Sequence, residues 1–102
     1  MKESLIDVIQ FFKINQEEIR KKFNIYSIGL FGSVINYDFN DESDIDIIVL
    51  FNISIKDKNK KDAKKLNKYL KPLFKRKIVI YNFSSVKPNM TYKIKEDALW
   101  VI

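Results

Sequence analysis

The sequence contains no cysteine, and only two of its 102 residues are glycine. Without cysteine no disulfide can hold the fold, which is compatible with a reducing compartment. No apolar run approaches the roughly 20 residues that a membrane-spanning helix needs. The N-terminal segment MKESLIDVIQFF also lacks the long apolar stretch and cleavage site of a signal peptide. We therefore expect a cytoplasmic protein that does not enter a membrane.

Length and apolar content predict one domain over residues 1–102, because 46% of the residues are hydrophobic and can fill a single core. Apolar residues at helical spacing and β-rich runs predict the following elements: helices over 2–12, 15–23, 57–70 and 91–97, and strands over 25–31, 44–51, 77–81 and 98–102. The last strand is expected to pair within the sheet or with a partner. This order predicts an α/β fold, a small mixed sheet with helices packed on it.

Local signals refine three of these elements. Asn15 and Glu18 have the spacing of a capping box at the start of the second helix. Pro72 is expected to end or kink the third helix, since proline lacks the N–H that a helix interior uses. The near-continuous apolar run that follows Asp46 predicts a strand buried on both faces of the sheet.

The net charge of +6 is unevenly distributed. The segment 56–77 holds eleven basic and two acidic residues, a balance of +9, while the remainder carries eight basic and eleven acidic residues, a balance of −3. Such asymmetry favours a phosphate-bearing or acidic partner. A solvated, lysine-rich helix face is the preferred explanation, so we rank a nucleic-acid-binding module last.

Two aspartates, Asp44 and Asp46, stand at the start of the most apolar predicted strand. Residues i and i+2 of a strand face the same side, so the two carboxylates point one way while Ile45 and Ile47 enter the core. Like charges this close raise each other's proton affinity, and a divalent cation removes the conflict. Two carboxylates completed by water and phosphate oxygens suit Mg²⁺.

The dipeptide Gly32-Ser33 breaks the preceding strand, and ten residues separate it from Asp44. Glycine allows close approach of the backbone to a ligand, and a short helix opening at Ser33 would present free N–H groups to a phosphate. A hydroxyl at Ser33 can donate to a phosphate oxygen. The Gly-Ser pair and the Asp-x-Asp motif are each weak signals alone, but together they predict a site for a nucleoside triphosphate and a metal.

The segment GLFGSVINYDFNDESDIDIIVLF, residues 29–51, resembles the signature of the minimal nucleotidyltransferase (MNT) domains of the DNA polymerase beta-like nucleotidyltransferase superfamily. The resemblance implies that Gly32 and Ser33 bind ATP and that Asp44 and Asp46 bind Mg²⁺. It also implies an antitoxin that transfers AMP to a hydroxyl of a HEPN-type toxin, with which it forms an oligomer.

One departure from the family pattern concerns the third carboxylate, which the family usually carries on the following strand as a metal ligand and proton acceptor. Here Val79 falls at the expected position. Either Asp38, Asp41 or Glu42 supplies the missing group from the loop, or the site binds without useful turnover, since a general base is worth roughly 10²–10⁴-fold in rate. The alternative function is therefore a degenerate antitoxin that neutralises its partner by binding only.

The other departure lies directly after Ser33, where the family often has arginine and glycine and this chain has Val34 to Tyr37. A lost arginine weakens phosphate contacts. Tyr37 and Tyr81 are expected to be packing or surface residues, and stacking on a base near the site is their alternative role.

Overall fold

A computed structural model of the protein describes residues 4–32, 40 and 42–102. The helices and strands follow one another along the chain in an order close to the predicted one. They are α1 (Leu5–Ile14), α2 (Gln16–Phe23), β1 (Ile25–Phe31), β2 (Ile45–Phe51), α3 (Lys56–Phe74), β3 (Ile78–Asn82), α4 (Pro88–Asp97) and β4 (Leu99–Trp100), with a 3₁₀ turn at Phe83–Ser85. The predicted short helix after Gly32 lies outside the described residues.

The four strands form one mixed sheet in the order β3-β2-β1-β4, which confirms the predicted α/β class. β1 pairs with β2 and with β4 in antiparallel fashion, and β2 pairs with β3 in parallel. The parallel pair requires a crossover, and α3 supplies it. The C-terminal apolar run thus pairs within the sheet, as one of the two predicted alternatives had it.

One face of the sheet carries the hydrophobic core, against which α1, α2 and α3 pack. Strand alternation places Ile45, Ile47 and Val49 of β2 on this face, where all three are fully buried. The helices contribute further fully or almost fully buried side chains: Val8, Phe12, Ile19, Phe23, Leu66, Leu70 and Phe74. Ile48, on the opposite face of β2, is also fully buried, so the prediction of a strand buried on both faces is confirmed.

The predicted capping box at the start of α2 is wrong. The capping box stands at α1, where the Ser4 hydroxyl accepts from the Asp7 amide and the Asp7 carboxylate accepts from the Ser4 amide. Asn15 is the N-cap of α2 but makes no side-chain cap hydrogen bond there; its amide donates instead to the Phe11 carbonyl at 2.8 Å. Asn15 and Glu18 have the spacing of a capping box, but the Asn15 side chain is already hydrogen-bonded to the preceding helix.

α3 is longer than predicted and continues through Pro72 to Phe74. Proline removes one backbone donor close to the end of the helix, where few later bonds depend on it. The helix ends at Lys75, whose φ of 53° is left-handed. α4 likewise begins three residues earlier than predicted, with Pro88 in the first turn, where its missing N–H costs nothing. Within the described residues, no helix is long and apolar enough to cross a bilayer.

Candidate active site

Gly32 lies against the carboxylate of Asp46. It follows the last residue of β1 with a φ of +71°, a conformation that favours glycine. A Cβ placed there would collide with Oδ2 of Asp46 and lie 3.4 Å from its Cγ. Glycine is therefore required by both backbone conformation and space. The structure brings together three of the four predicted site residues: Gly32 contacts Asp46, and Asp44 acts on Asp46 through its charge. Ser33 lies outside the described residues.

Asp46 lies on the face of the sheet opposite the core, as strand alternation requires, and Asp44 stands directly before β2, where its charge acts on Asp46. Phe31 of β1 is the register partner of Asp46, so the end of β1 and the start of β2 meet at this point. Both aspartates are half-buried. The hydrophobic neighbours of β2 position the carboxylates, because Ile45 and Ile47 are anchored in the core on either side of Asp46.

Burial and a neighbouring carboxylate both disfavour the charged form of Asp46. Partial burial raises the pKa of the Asp46 carboxyl above its ordinary value, and the charge of Asp44 raises it further. Lys77 acts in the opposite direction and lowers this pKa. The sequence predicted the repulsion between the aspartates but missed desolvation, which is the larger cause. Burial was not visible in the sequence because it depends on elements that fold over the strand.

Val79 occupies the position next to Asp46 on the parallel strand. β3 pairs with β2 so that Val79 is the register partner of Asp46, and register partners of neighbouring strands face the same side. An aliphatic side chain therefore borders the carboxylate on one side and Phe31 on the other. Valine can neither bind a metal nor accept a proton.

A replacement carboxylate is absent from the described part of the chain. Among described residues, no group of three or more His, Cys, Asp or Glu could hold a metal ion. Glu42 thus does not join the two aspartates in such a cluster; its own amide donates to the Asn40 side chain at 2.8 Å. The other two loop candidates, Asp38 and Asp41, lie outside the described residues.

Arg76 holds the backbone that leads into Asp44, a role that sequence analysis missed. The side chain is only 6% exposed. Its Nη1 donates to the carbonyl oxygens of Asn40 and Ser43, at 2.9 Å for Ser43. A guanidinium suits this task because Nη1 carries two N–H groups in fixed directions, whereas a lysine ammonium rotates freely. The available signal was a single arginine just before β3 in a chain whose cations are almost all lysine.

The donor set fits a divalent cation bound together with a phosphate-bearing ligand. Two carboxylate oxygen donors on one face are the type of ligand that Mg²⁺ takes, usually with several waters and substrate phosphates. The charge of Asp44 acts on Asp46, and a cation bound between the two carboxylates would compensate both charges. Asp44 and Asp46 would supply the protein ligands, and no third carboxylate comes from β3.

Two cavities flank the strands at opposite ends. One of about 510 Å³ begins at Phe31 and Tyr81 on the side of the aspartates; Tyr37, the other predicted stacking residue, lies outside the described residues. A second, of about 610 Å³, is lined by Arg20, Lys21 and Lys58 near the start of β1 and includes none of the predicted site residues. Of these two cavities, the smaller one is therefore the nearer to the candidate site, since Phe31 is the register partner of Asp46.

Comparisons with known proteins agree with this geometry. The family model described as the nucleotidyltransferase domain matches residues 13–101. A solved structure that has been assigned as a minimal nucleotidyltransferase is similar to this chain with a TM-score of 0.75 and 18% identity, over 95% of this chain and 95% of that chain. At that identity the likeness concerns the fold. Comparison with curated proteins gives no match.

Proposed function

This chain belongs to the nucleotidyltransferase domain family, and from that premise we propose that it transfers AMP from ATP, with Mg²⁺, to a hydroxyl group of a protein. The observation that carries the proposal is the contact between the Gly32 backbone and the Asp46 carboxylate. It joins the glycine turn suited to phosphate with the carboxylates suited to a metal. The resemblance to the minimal nucleotidyltransferases predicted from residues 29–51 is confirmed.

The transfer has a simple balance. The acceptor oxygen forms a bond to the α-phosphorus of ATP, the bond from that phosphorus to the bridging oxygen of the β-phosphate breaks, and pyrophosphate leaves while the acceptor loses its proton. Mg²⁺, when bound, offsets the charge that develops on the phosphate oxygens. Asp44 and Asp46 would supply the carboxylate oxygens that hold the metal, and Gly32 leaves room beside Asp46 for a phosphate group. Arg76 keeps the backbone before Asp44 fixed.

The step for which this chain lacks the family's usual catalytic group is removal of the proton from the acceptor hydroxyl. In the family a third carboxylate can take it, but the register partner of Asp46 is Val79. Loss of a general base lowers a rate by roughly 10²–10⁴-fold. We therefore propose slow transfer, with the acceptor proton passing to water or to a group on the acceptor protein.

The same valine favours the second candidate function, a protein that binds nucleotide and metal and acts on its partner only by contact. This candidate predicts Mg²⁺-dependent ATP binding with no covalent transfer. The two candidates share their binding residues and differ in one measurable product, an adenylylated hydroxyl.

The proposed partner is a HEPN-type toxin, with the chain as its antitoxin. The support is the resemblance of residues 29–51 to the MNT antitoxins. A product of the neighbouring gene, purified with this chain, is the acceptor to test first.

The test is incubation of the protein and its candidate acceptor with ATP labelled in the α-phosphate. Transfer of label that requires Mg²⁺ and is lost in Asp44→Asn/Asp46→Asn would support the enzyme. Asp57→Asn is the matched control, because Asp57 is an exposed aspartate in the first turn of α3, on the other side of the sheet. Binding without label transfer would favour the second candidate, and no ATP binding would overturn both.

A further inference from the structure

An apolar groove of about 510 Å³ runs along the sheet next to the aspartates. Phe31 and Tyr81 form its floor, and Val86, Met90 and Ile94, from the segment after β3, form its wall. Among the described residues that line it, none is charged. The volume is in the range of small-molecule sites, about 300–1,000 Å³.

The register of the sheet places the groove beside the chemistry. Phe31 is the partner of Asp46 across β1 and β2, and Val79 is its partner across β2 and β3. Tyr81 follows Val79 by two residues, about 6.5–7 Å along the strand on the same face. A ligand with its phosphates at Gly32 and Asp46 therefore has its next chemical group within reach of both rings.

The two rings form a single aromatic platform above β2. The centroids of Phe31 and Tyr81 are 5.2 Å apart and the rings meet edge to face, although the residues come from the strands on either side of β2. Tyr81 is 42% exposed, so a large part of its surface is available to a ligand. Aromatic side chains of this kind stack on any nucleobase, because every base has a π-face.

Two polar side chains stand at the rim of the groove, Asn82 and Ser85. The Asn82 side-chain oxygen accepts a hydrogen bond from the Ser84 amide at 3.0 Å. That bond orients the side chain and leaves its NH₂ group to act as a donor. A mainly apolar pocket with one or two directed polar groups is the usual composition of a site for a base or a similar planar ligand.

We propose that this groove binds the base and ribose of the substrate nucleotide. The inference rests on the proposed function, since it needs the phosphates at Gly32 and the two aspartates. A flat, rigid nucleoside matches an aromatic floor with an apolar wall, and its covalent link to the phosphates matches the position of the groove beside Asp46. An acceptor side chain is the competing occupant.

The experiment compares two ligands that share their phosphates, ATP and inorganic tripolyphosphate, by calorimetry in the presence of Mg²⁺. We expect the wild-type protein to bind ATP roughly 10- to 100-fold more tightly than tripolyphosphate, the gain of stacking one base. Tyr81→Ala should weaken ATP binding to near that of tripolyphosphate while tripolyphosphate binding is unchanged. The matched control is Tyr92→Ala, because Tyr92 lies on α4, is 71% exposed and is not part of the groove.

A second variant approaches the groove from the wall. Val86→Trp fills the space opposite the aromatic floor and should weaken ATP binding without affecting tripolyphosphate. Agreement of the two variants would support the nucleoside site, because one removes a surface and the other removes volume. A circular dichroism spectrum and unfolding midpoint near those of the wild type would show that each variant is folded.

Two results would overturn the inference while leaving the proposed function intact, and a third would overturn both. Equal wild-type affinities for ATP and tripolyphosphate, both lost in Asp44→Asn/Asp46→Asn, would leave a phosphate site with no base site. A Tyr81→Ala variant that keeps its ATP affinity but needs more acceptor protein for transfer would assign the groove to the acceptor. If neither ligand binds to the wild type, the proposed function fails and this inference fails with it.

Discussion

At the scale of single residues, Asp46 illustrates a conflict between stability and function. Its neutral form is favoured in the folded protein by burial and by the charge of Asp44. The pKa of Asp46 is therefore higher in the folded chain than in the unfolded chain. Asp46 therefore favours the folded protein most at a pH below the pKa of the unfolded chain, and this stabilisation is lost as the pH rises through the pKa of the folded chain.

The first prediction follows from that sign. Asp46→Asn has no charge to desolvate or repel, so in metal-free buffer at about pH 7 it should unfold at a higher temperature than the wild type. The difference should shrink as the pH falls toward the ordinary pKa of aspartate, about 3.9. Thermal unfolding of both proteins with a chelator, at several pH values, measures it. A variant less stable than the wild type at neutral pH would contradict the assignment.

Gly32 gives the second prediction. Gly32→Ala places a side chain in left-handed backbone, at a cost of about 1–2 kcal/mol, and pushes the methyl group into the Asp46 carboxylate. We expect weaker Mg²⁺-dependent ATP binding together with this loss of stability. Calorimetry and chemical denaturation measure the two effects separately.

Gly29→Ala is the matched control for that substitution. A Cβ at Gly29 would meet Ile48 Cγ2 at 2.9 Å and Trp100 Cε3 at 3.1 Å, so overpacking should cost about 1–3 kcal/mol. Gly29 does not contact the aspartates in that way, and ATP binding should survive. Equal loss of binding in both alanine variants would show that Gly32 acts through stability alone.

At the scale of elements, the pairing of β2 with β3 decides what the site can do. Val79→Asp would place a third carboxylate beside Asp46 in the existing register. We predict that it increases transfer of labelled AMP by roughly 10²-fold or more, the range of a recovered general base. It should also lower stability in metal-free buffer, because a third negative charge joins an already repulsive pair.

The Val79→Asp experiment needs its own control and its own contrary result. Val79→Asn has a similar size and polarity but no charge, so it should leave the transfer rate unchanged. An aspartate variant that is folded, binds Mg²⁺ more tightly and still transfers no label would argue that the chain lacks more than one catalytic group.

The loop before β2 is held by Arg76, which lies between α3 and β3. Arg76→Gln removes the charged donor to two backbone carbonyls, and leaving buried groups unsatisfied costs about 1–3 kcal/mol. Arg76→Lys retains the positive charge but not the guanidinium, so its stability should lie between those of the wild type and Arg76→Gln. Chemical denaturation measures the cost, and hydrogen exchange at Asp44 and Ile45 should accelerate. Unchanged exchange in Arg76→Gln would show that the loop is held by other contacts.

At the scale of the whole molecule, helix and sheet share one core, so a single large cavity should affect the entire fold. Phe12 is fully buried and packs near Phe74, with ring centroids 6.1 Å apart. Phe12→Ala should cost about 3–5 kcal/mol, a large part of the 5–15 kcal/mol typical of a domain. Ile14→Ala, on the same helix but 80% exposed, should change stability by less than about 0.5 kcal/mol.

One cooperative transition in those unfolding curves would also support the prediction that residues 1–102 form one domain. Two separate transitions, with only one moved by Phe12→Ala, would argue against it.

The sequence predicted much of this fold because its signals were local. The spacing of apolar residues placed β1 and β2 within a residue of their observed bounds, and the ten residues between Gly32-Ser33 and Asp44 located the two aspartates and the glycine that contacts one of them. The features that were missed depend on tertiary contacts. Arg76 meets a loop more than 30 positions earlier in the chain, and the groove joins Phe31 to residues after β3.

The register between Asp46 and Val79 also has an evolutionary consequence. A valine codon can become an aspartate codon by one base change, and the reverse change is as short. If Val79→Asp restores transfer as predicted, a lineage with this fold could exchange a binding protein for a modifying enzyme, or the reverse, without moving a strand or altering the core. Sister lineages that differ at this one position would then divide between the two ways of controlling the same partner.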